Sequence, residues 1–343
     1  MPALWDGAPV ARRWVRNLDD WPLATAVITP DSEFGDMHLI ELARGCGHGC
    51  RFCLAGAWYR PVREHGLESV LEQARAGLER RRALGLAPKV GLVSAAVSDY
   101  GAIDELVARL GEMGAPDSPV GLSVSSLRIA PLSLPLVRAL RAGGSRTITL
   151  APEAGSQRLR RAINKCVTHD DILAATDAVA QERFETLKLY YMVGLPDETE
   201  EDIAALIDLT DEIARQFDRF VVVGVSPFVP KAHTPWERCG MAPAEVLDAR
   251  LARIRASLQS RSVSVRAEST ALARVQGILA RGGAEVGEAL ATASRAAPKR
   301  VESLLAKAGL DVEDYMAPWA PQRPLPWGMV DARGCPSAGE GAL

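Results

Sequence analysis

Three cysteines stand within eight positions of "RGCGHGCRFCLAG": Cys46, Cys50 and Cys53, spaced C-x-x-x-C-x-x-C. Clustered thiolates bind soft metal ions and iron–sulfur clusters. A cubane cluster normally takes four thiolates, so three leave one iron without a protein ligand. An open coordination position is where a metal does chemistry rather than merely holding a fold. Gly45, Gly47 and Gly49 give the loop the backbone freedom to wrap three ligands around one cluster. A zinc site that borrows His48 as its fourth ligand is the competing reading, as is a chance group of buried thiols. His48 lies between two of the cysteines in the chain, which makes reaching the same ion awkward.

Positioning such a loop falls to the elements around it. From residue 37 onward short apolar runs alternate with helical patterns. "MHLIELA" (37–43), "KVGLVSA" (89–95), "VGLSV" (120–124), "TITLA" (147–151), "TLKLYYMVG" (186–194) and "RFVVVGV" (219–225) are strand candidates. Between them the spacing predicts helices over 67–85, 103–113, 133–143, 155–181 and 199–217. The first of these ends in Arg80, Arg81 and Arg82 and then Gly85, suited to the negative end of a helix and to its termination. The last opens with Thr199 and Asp202 at capping-box spacing. Continuously apolar strands fit a parallel sheet covered by helices. Six βα units in a row predict an α/β fold, a partial (β/α)6 TIM-like barrel, whose ligands sit at the C-terminal ends of the strands. The three cysteines follow the first strand and so fall at that end. Residues 1–36 read as an N-terminal extension, 37–235 as the barrel, and 236–343 as a mainly helical extension with helices near 243–259, 269–281, 284–295 and 298–308 and a flexible tail, "PSAGEGAL".

The 343 residues carry a formal net charge of −3 and are 48% hydrophobic, enough for a substantial core. The near-neutral balance argues against a protein whose main task is gripping nucleic acid or an anionic membrane. No apolar signal segment opens the chain and no run is long enough for a membrane helix, so a cytosolic protein is expected. Thiols stay reduced there, which favours metal ligation over disulfides.

The cysteine loop resembles the C-x-x-x-C-x-aromatic-C signature of the radical SAM superfamily, with Phe52 as the aromatic residue. The likeness continues through "TLAPEAGSQRLRRAINK", "LKLYYMVGLPDETEED" and "VSPFVPKAHTPWE", which resemble the branch that often carries a cobalamin domain before the barrel. The resemblance implies a [4Fe-4S] cluster on Cys46, Cys50 and Cys53, with S-adenosyl-L-methionine on the open iron. One electron then splits the sulfonium, and the resulting 5′-deoxyadenosyl radical takes hydrogen from an unactivated C–H of the substrate. It implies an enzyme, of transferase or lyase type. It implies a small-molecule or peptide substrate and an electron donor such as flavodoxin or ferredoxin, with nucleic acid and membrane not expected as partners. Cobalamin is possible but not favoured. The ligand motif D-x-H-x-x-G is matched only by Asp36 and His38, with Glu41 in place of the glycine, inside the first strand. A cobalamin-dependent methyltransferase and a non-catalytic metal- or partner-binding module are the alternatives, and an RNA-modifying enzyme ranks below them.

The same resemblance offers cofactor-binding residues. Phe52 would lie against the adenine, and Glu153 would meet the amino group or ribose. Arg128 or Lys188 would pair with the carboxylate, and Ser126 would donate a hydrogen bond. Gly194 would shape the wall, and Ser226 and Phe228 would sit by the adenine. Each has a plainer reading, as an ion-pair residue, a helix-start carboxylate or a core side chain. Asp99 and Tyr100 sit at the same rim, after the second strand. Tyr190 and Tyr191 are neighbours on one strand and must face opposite ways, so one of them is a candidate to contact substrate. Arg60 and Arg63 offer an anion site or a solvated surface. Cys166, Cys239 and Cys335 show no spacing for a second cluster; Cys335 is the candidate for a catalytic thiol on a mobile tail.

Overall fold

The computed structural model describes residues 8–29, 31–34, 36–292 and 301–336. Seven parallel strands form its centre. β1 (Val10–Trp14) lies apart from them; β2 (His38–Glu41) is the first of the seven and runs into the short β3 (Ala43–Arg44). β4 (Arg63–Glu64) pairs antiparallel with β3 and closes the cysteine loop as a small hairpin. β5 (Lys89–Val93) and β6 (Gly121–Val124) extend β2 into a three-stranded parallel sheet. β7 (Thr147–Glu153), β8 (Thr186–Val193), β9 (Phe220–Pro227) and β10 (Val263–Ala267) form a second parallel sheet in that order. No ladder joins β6 to β7 among the described residues, so the partial barrel consists of two parallel sheets with a slit between them.

Helices cover the outer faces: α1 (Leu54–Trp58), α2 (Leu67–Ala83), α3 (Ile103–Glu112), α4 (Leu134–Ala142), α5 (Gln157–Ala162), α6 (His169–Gln181), α7 (Glu200–Phe217) and α8 (Ala244–Leu258). Runs of valine and isoleucine favour the pleated backbone. On β8 Leu187, Leu189, Tyr191 and Val193 are buried in one core with Ile203, Leu206 and Leu209 of α7, while Lys188 and Tyr190 face the other way. The strands therefore alternate more than their apolar appearance indicates: one face is sealed under helices and the other lines the barrel. Gly155 shows how close the layers come, because a Cβ there would lie 2.1 Å from the Leu206 backbone nitrogen.

Three features depart from the sequence expectation. The stretch 155–181 is two helices, α5 and α6, broken at 163–168, where Asn164 takes a left-handed φ of 58°. Beyond residue 236 the chain is not only helical: β10 pairs with β9 and adds a seventh strand to the sheets. The C-terminal α9 (Thr270–Arg281), α10 (Ala284–Thr292) and α11 (Val301–Lys307) pack around a second core containing Ile278, Leu305, Tyr315, Met316 and Trp319. Finally, β11 (Val330–Pro336) runs parallel to β1 and joins the two ends of the described chain. The expected tail, 336–343, lies outside the described residues apart from Pro336, and so does the side chain of Cys335.

Candidate active site

Cys46, Cys50 and Cys53 are free thiols, all partly exposed, on the loop between β3 and α1. Gly45 enters that loop at φ 96°, and a Cβ there would stand 2.4 Å from the Tyr59 carbonyl oxygen, so the returning limb packs directly on it. Cys53 is the N-cap of α1. Its sulfur lies 4.0 Å from where a Cβ on Gly56 would be, so a larger residue one turn into α1 would crowd it. The break between α5 and α6 supports the other side. The Arg51 N–H donates to the Ile163 carbonyl at 3.0 Å, Asn164 Nδ2 donates to the Gly49 carbonyl at 2.9 Å, and the Cys50 thiol points at the Asn164 carbonyl at 3.8 Å. Burial pushes the Cys50 thiol up to about 11, and the nearby Lys165 ammonium works against this.

Glu153 stands at the end of β7, past a register shift that follows Leu150, with φ 69°. A non-glycine residue held in that region costs of order 1 kcal/mol and points to a functional constraint. Its carboxylate pairs with Lys165 Nζ at 3.1 Å. Burial raises the Glu153 carboxyl above its ordinary value, with Lys165 opposing. Both charges influence Cys50, so they belong to the cysteine site. Lys165 has no motif of its own in the sequence; its place depends on the helix break.

Facing them, His48 contacts both Asp99 and Arg128. Burial, then Arg128, lowers the His48 pKa. An imidazole engaged this way is turned to a carboxylate and a guanidinium, which weighs against its use as a fourth metal ligand. Arg128 also donates from Nε to the Ala130 carbonyl at 3.0 Å. The Ser126 hydroxyl accepts from the Val97 N–H at 2.9 Å and braces the loop after β5. Tyr100 is buried, with its hydroxyl on the His65 carbonyl, so only Asp99 of that pair reaches the rim.

Inside the barrel, Tyr190 is 48% exposed and lines cavities of about 210 and 330 Å³. Tyr191 is buried under α7, bonded to the Thr210 hydroxyl at 3.2 Å, and burial pushes its phenol to about 12; the structure removes it from the substrate side. Lys188 and Ser226 line the smaller cavity with Arg266 and Glu268, and Ser126 lines the larger. Phe228 is a core residue, edge-on to Trp236 at 5.5 Å, and Phe52 packs partly buried against the same group. Gly194 adopts φ 76° and gives its N–H to Glu198. A Cβ at Gly194 would lie 2.6 Å from Leu247 Cδ2, so its side contacts α8. Arg63 is buried on the Val15 carbonyl at 2.8 Å and is not an anion site, whereas Arg60 stays exposed. Cys166 is exposed, and Cys239 packs on the Phe228–Trp236 group. His38, half of the D-x-H fragment, is buried in β2, where a Cβ on Gly77 would meet its ring at 2.1 Å.

The three free cysteines share one loop at the C-terminal edge of a partial parallel barrel, and among the described residues no group of three metal-ligating side chains is gathered around a single ion position. The chain belongs to the radical SAM superfamily, whose family model matches residues 40–210. Members of that superfamily use a [4Fe-4S] cluster and S-adenosylmethionine. A Methanocaldococcus jannaschii protein of unassigned function is 40% identical over 224 residues, 64% of this chain and 47% of its own length. The ribosomal protein uS12 methylthiotransferase RimO of Heliobacterium modesticaldum is 25% identical over 234 residues, 67% of this chain and 49% of its own. The chain thus spans about half the length of these curated relatives. Among solved structures, Escherichia coli coproporphyrinogen III oxidase superposes with a TM-score of 0.40 at 16% identity, over 65% of this chain and 48% of that one. The cobalamin-dependent enzyme OxsB superposes with a TM-score of 0.44 at 13% identity, over 81% and 46%. No helix among the described residues is long and apolar enough to cross a membrane.

Proposed function

We propose that the chain takes a hydrogen atom from an unactivated C–H of a small-molecule or peptide substrate and carries out a group transfer or rearrangement. The observation that carries this is the set of three thiols on one glycine-turned loop at the C-terminal end of the first parallel strand. The donors are of the kind a cubane takes: three free thiols, sulfur only, on one loop. Bound there, the cluster and S-adenosylmethionine supply a primary carbon radical. The chain's own residues do the rest. Cys46, Cys50 and Cys53 are the ligands. Glu153, with Lys165 setting its charge, receives the amino or ribose end of the cofactor. Arg128, held beside Asp99 and His48, receives the carboxylate, and Phe52 and Ser226 flank the adenine. Tyr190 faces the substrate, and residues 37–235 with β10 form the walls that exclude water from the radical. The C-terminal residues 244–292 and 301–336 supply that seventh strand and would cover the open side. A ferredoxin- or flavodoxin-like donor supplies the electron.

Anaerobic reconstitution followed by dithionite tests the reading. Wild-type protein is expected to bind about four irons per chain and to release 5′-deoxyadenosine, and Cys46→Ala, Cys50→Ala and Cys53→Ala should each lose both. Cys166→Ser and Cys239→Ser should keep the cluster. A cluster-loaded wild type that makes no 5′-deoxyadenosine would leave only a metal-binding module. The relative named as a methylthiotransferase favours group transfer over rearrangement. Cobalamin copurifying in stoichiometric amount, with S-adenosylhomocysteine among the products, would shift the reading to cobalamin-assisted methyl transfer.

A further inference from the structure

The cations of the barrel fall into two groups. Those at the mouth are neutralised: Arg128 beside Asp99, and Lys165 on Glu153. Lys188 of β8, lower in the barrel, and the exposed Arg266 of β10 line one cavity of about 210 Å³ with Tyr190 and Ser226. Neither makes a hydrogen bond or an ion pair among the described residues. Glu268 also lines the cavity, but its charge acts on Lys231, outside the cavity lining.

Register fixes where this pair sits. Tyr190, Gly224 and Arg266 form one row across three strands. Tyr190 lies flat over Gly224, where a Cβ would stand 2.7 Å from the ring, so the phenol leaves space beside it rather than above the strand. Lys188 pairs with Thr149 and Val222, three residues before Tyr191, which is level with Glu153. At about 3.3 Å per residue its backbone lies roughly 10 Å below the level of Glu153, toward the N-terminal ends of the strands. That depth places Lys188 beneath the mouth, with the substrate rather than with the cofactor carboxylate.

Lys188 and Arg266 share the recess with one carboxylate, Glu268, which forms an ion pair with neither, so the recess keeps a net positive charge and suits an anion. A guanidinium presents a fork to two oxygens and an ammonium adds a point charge, which together suit a carboxylate or a phosphate. We propose that Lys188 and Arg266 hold an oxyanion group of the substrate, fixing its body against Tyr190 and below the cofactor. This rests on the reading of the mouth as the cluster and cofactor site.

The test titrates the full, cluster-loaded chain, without S-adenosylmethionine, separately with inorganic phosphate (followed by 31P line width) and with acetate (followed by 1H line width). Wild type should bind at least one of them saturably, and the tighter of the two identifies the group as phosphate or carboxylate. Lys188→Met and Arg266→Gln should each raise the dissociation constant at least tenfold. Lys188→Arg should stay within threefold of wild type, as should Arg261→Gln on the exposed surface. Arg266 is exposed, so R266Q can be read even if the Lys188→Met variant unfolds. No saturable binding of either anion by wild type overturns the proposal, and so does unchanged binding in a variant that combines Lys188→Met with Arg266→Gln. Loss of S-adenosylmethionine affinity in Lys188→Met with anion binding intact also overturns it and returns Lys188 to the cofactor. Failure of wild type to form 5′-deoxyadenosine is a separate result that sinks the radical reading and leaves the anion titration standing.

Discussion

Glu153 holds a conformation that its residue type does not favour. Glycine would adopt φ 69° without strain, so the chain keeps a carboxylate where the backbone would prefer none. If that side chain serves the cofactor, Glu153→Gly separates stability from binding. Relief of strain offsets the lost Lys165 ion pair, and the melting temperature should stay within about 3 °C of wild type. S-adenosylmethionine affinity, read by equilibrium dialysis on cluster-loaded protein, should fall at least tenfold. A merely structural glutamate would show the opposite: a lower melting temperature with affinity unchanged. Lys165→Met should weaken cofactor binding less than Glu153→Gly, because it removes only the partner that sets the charge. His48, Asp99 and Arg128 form the other half of the rim from three separate loops, and only Asp99 and Arg128 stood out in the sequence as cofactor-side candidates.

At the scale of elements, the site depends on how α5 and α7 seat against β7. Gly155 lies where the β7–α5 turn crosses α7, and a methyl group there collides with the Leu206 backbone rather than with a flexible side chain. Gly155→Ala should therefore destabilise by at least about 2 kcal/mol, seen as a lower urea midpoint with unchanged slope. Asp202, at the start of α7, ties the same elements together. It accepts from the Thr199 N–H at 2.8 Å, from the Ser156 hydroxyl and from Arg158. Burial alone would raise its pKa, but these donors outweigh it and the net shift is downward. A depressed folded pKa gives stability that is present above the unfolded value, about 3.9, and lost as pH falls through the folded value. Asp202→Asn should thus flatten the acid limb of the melting-temperature profile below about pH 4, while a wild-type-like slope would show that the clamp carries no linkage. Much of this architecture was legible: the six expected strands and the Thr199–Asp202 cap follow from period and spacing. The break after Ile163 was missed, although Thr168 and Asp171 form a second capping box there. β10 was missed because "VSVRA" is short and half polar, and its identity as a strand comes from pairing with β9.

Across the whole molecule the two ends of the described chain meet beside the cluster loop. β1 and β11 pair although more than three hundred residues separate them, a contact that no local pattern encodes. Arg12 on β1 donates to the Ala332 carbonyl at 2.9 Å and to the Arg60 carbonyl, and its guanidinium lies 5.9 Å from the Trp58 ring centroid at the end of α1. Arg63 reaches the Val15 carbonyl and lies over Trp14 at 5.3 Å. From Trp58 the packing continues through His233 at 4.8 Å to Trp327 and Trp319 of the C-terminal unit. This β1–β11 pair thus clamps α1 and the returning limb of the cysteine loop, while none of its residues whose side chains are described belongs to the main core. A small peripheral element with few buried apolar contacts opens locally without unfolding the barrel. Deleting residues 1–14 should accordingly leave anaerobic iron content and the far-ultraviolet spectrum unchanged. Exposed to air, the cluster's visible absorption should bleach at least about threefold faster, because loosening of α1 lets solvent and oxygen reach the thiolates. Equal bleaching rates would mean that the pair joins the chain ends without shielding the site, and loss of iron before any exposure to air would mean that it helps to build the cluster loop itself.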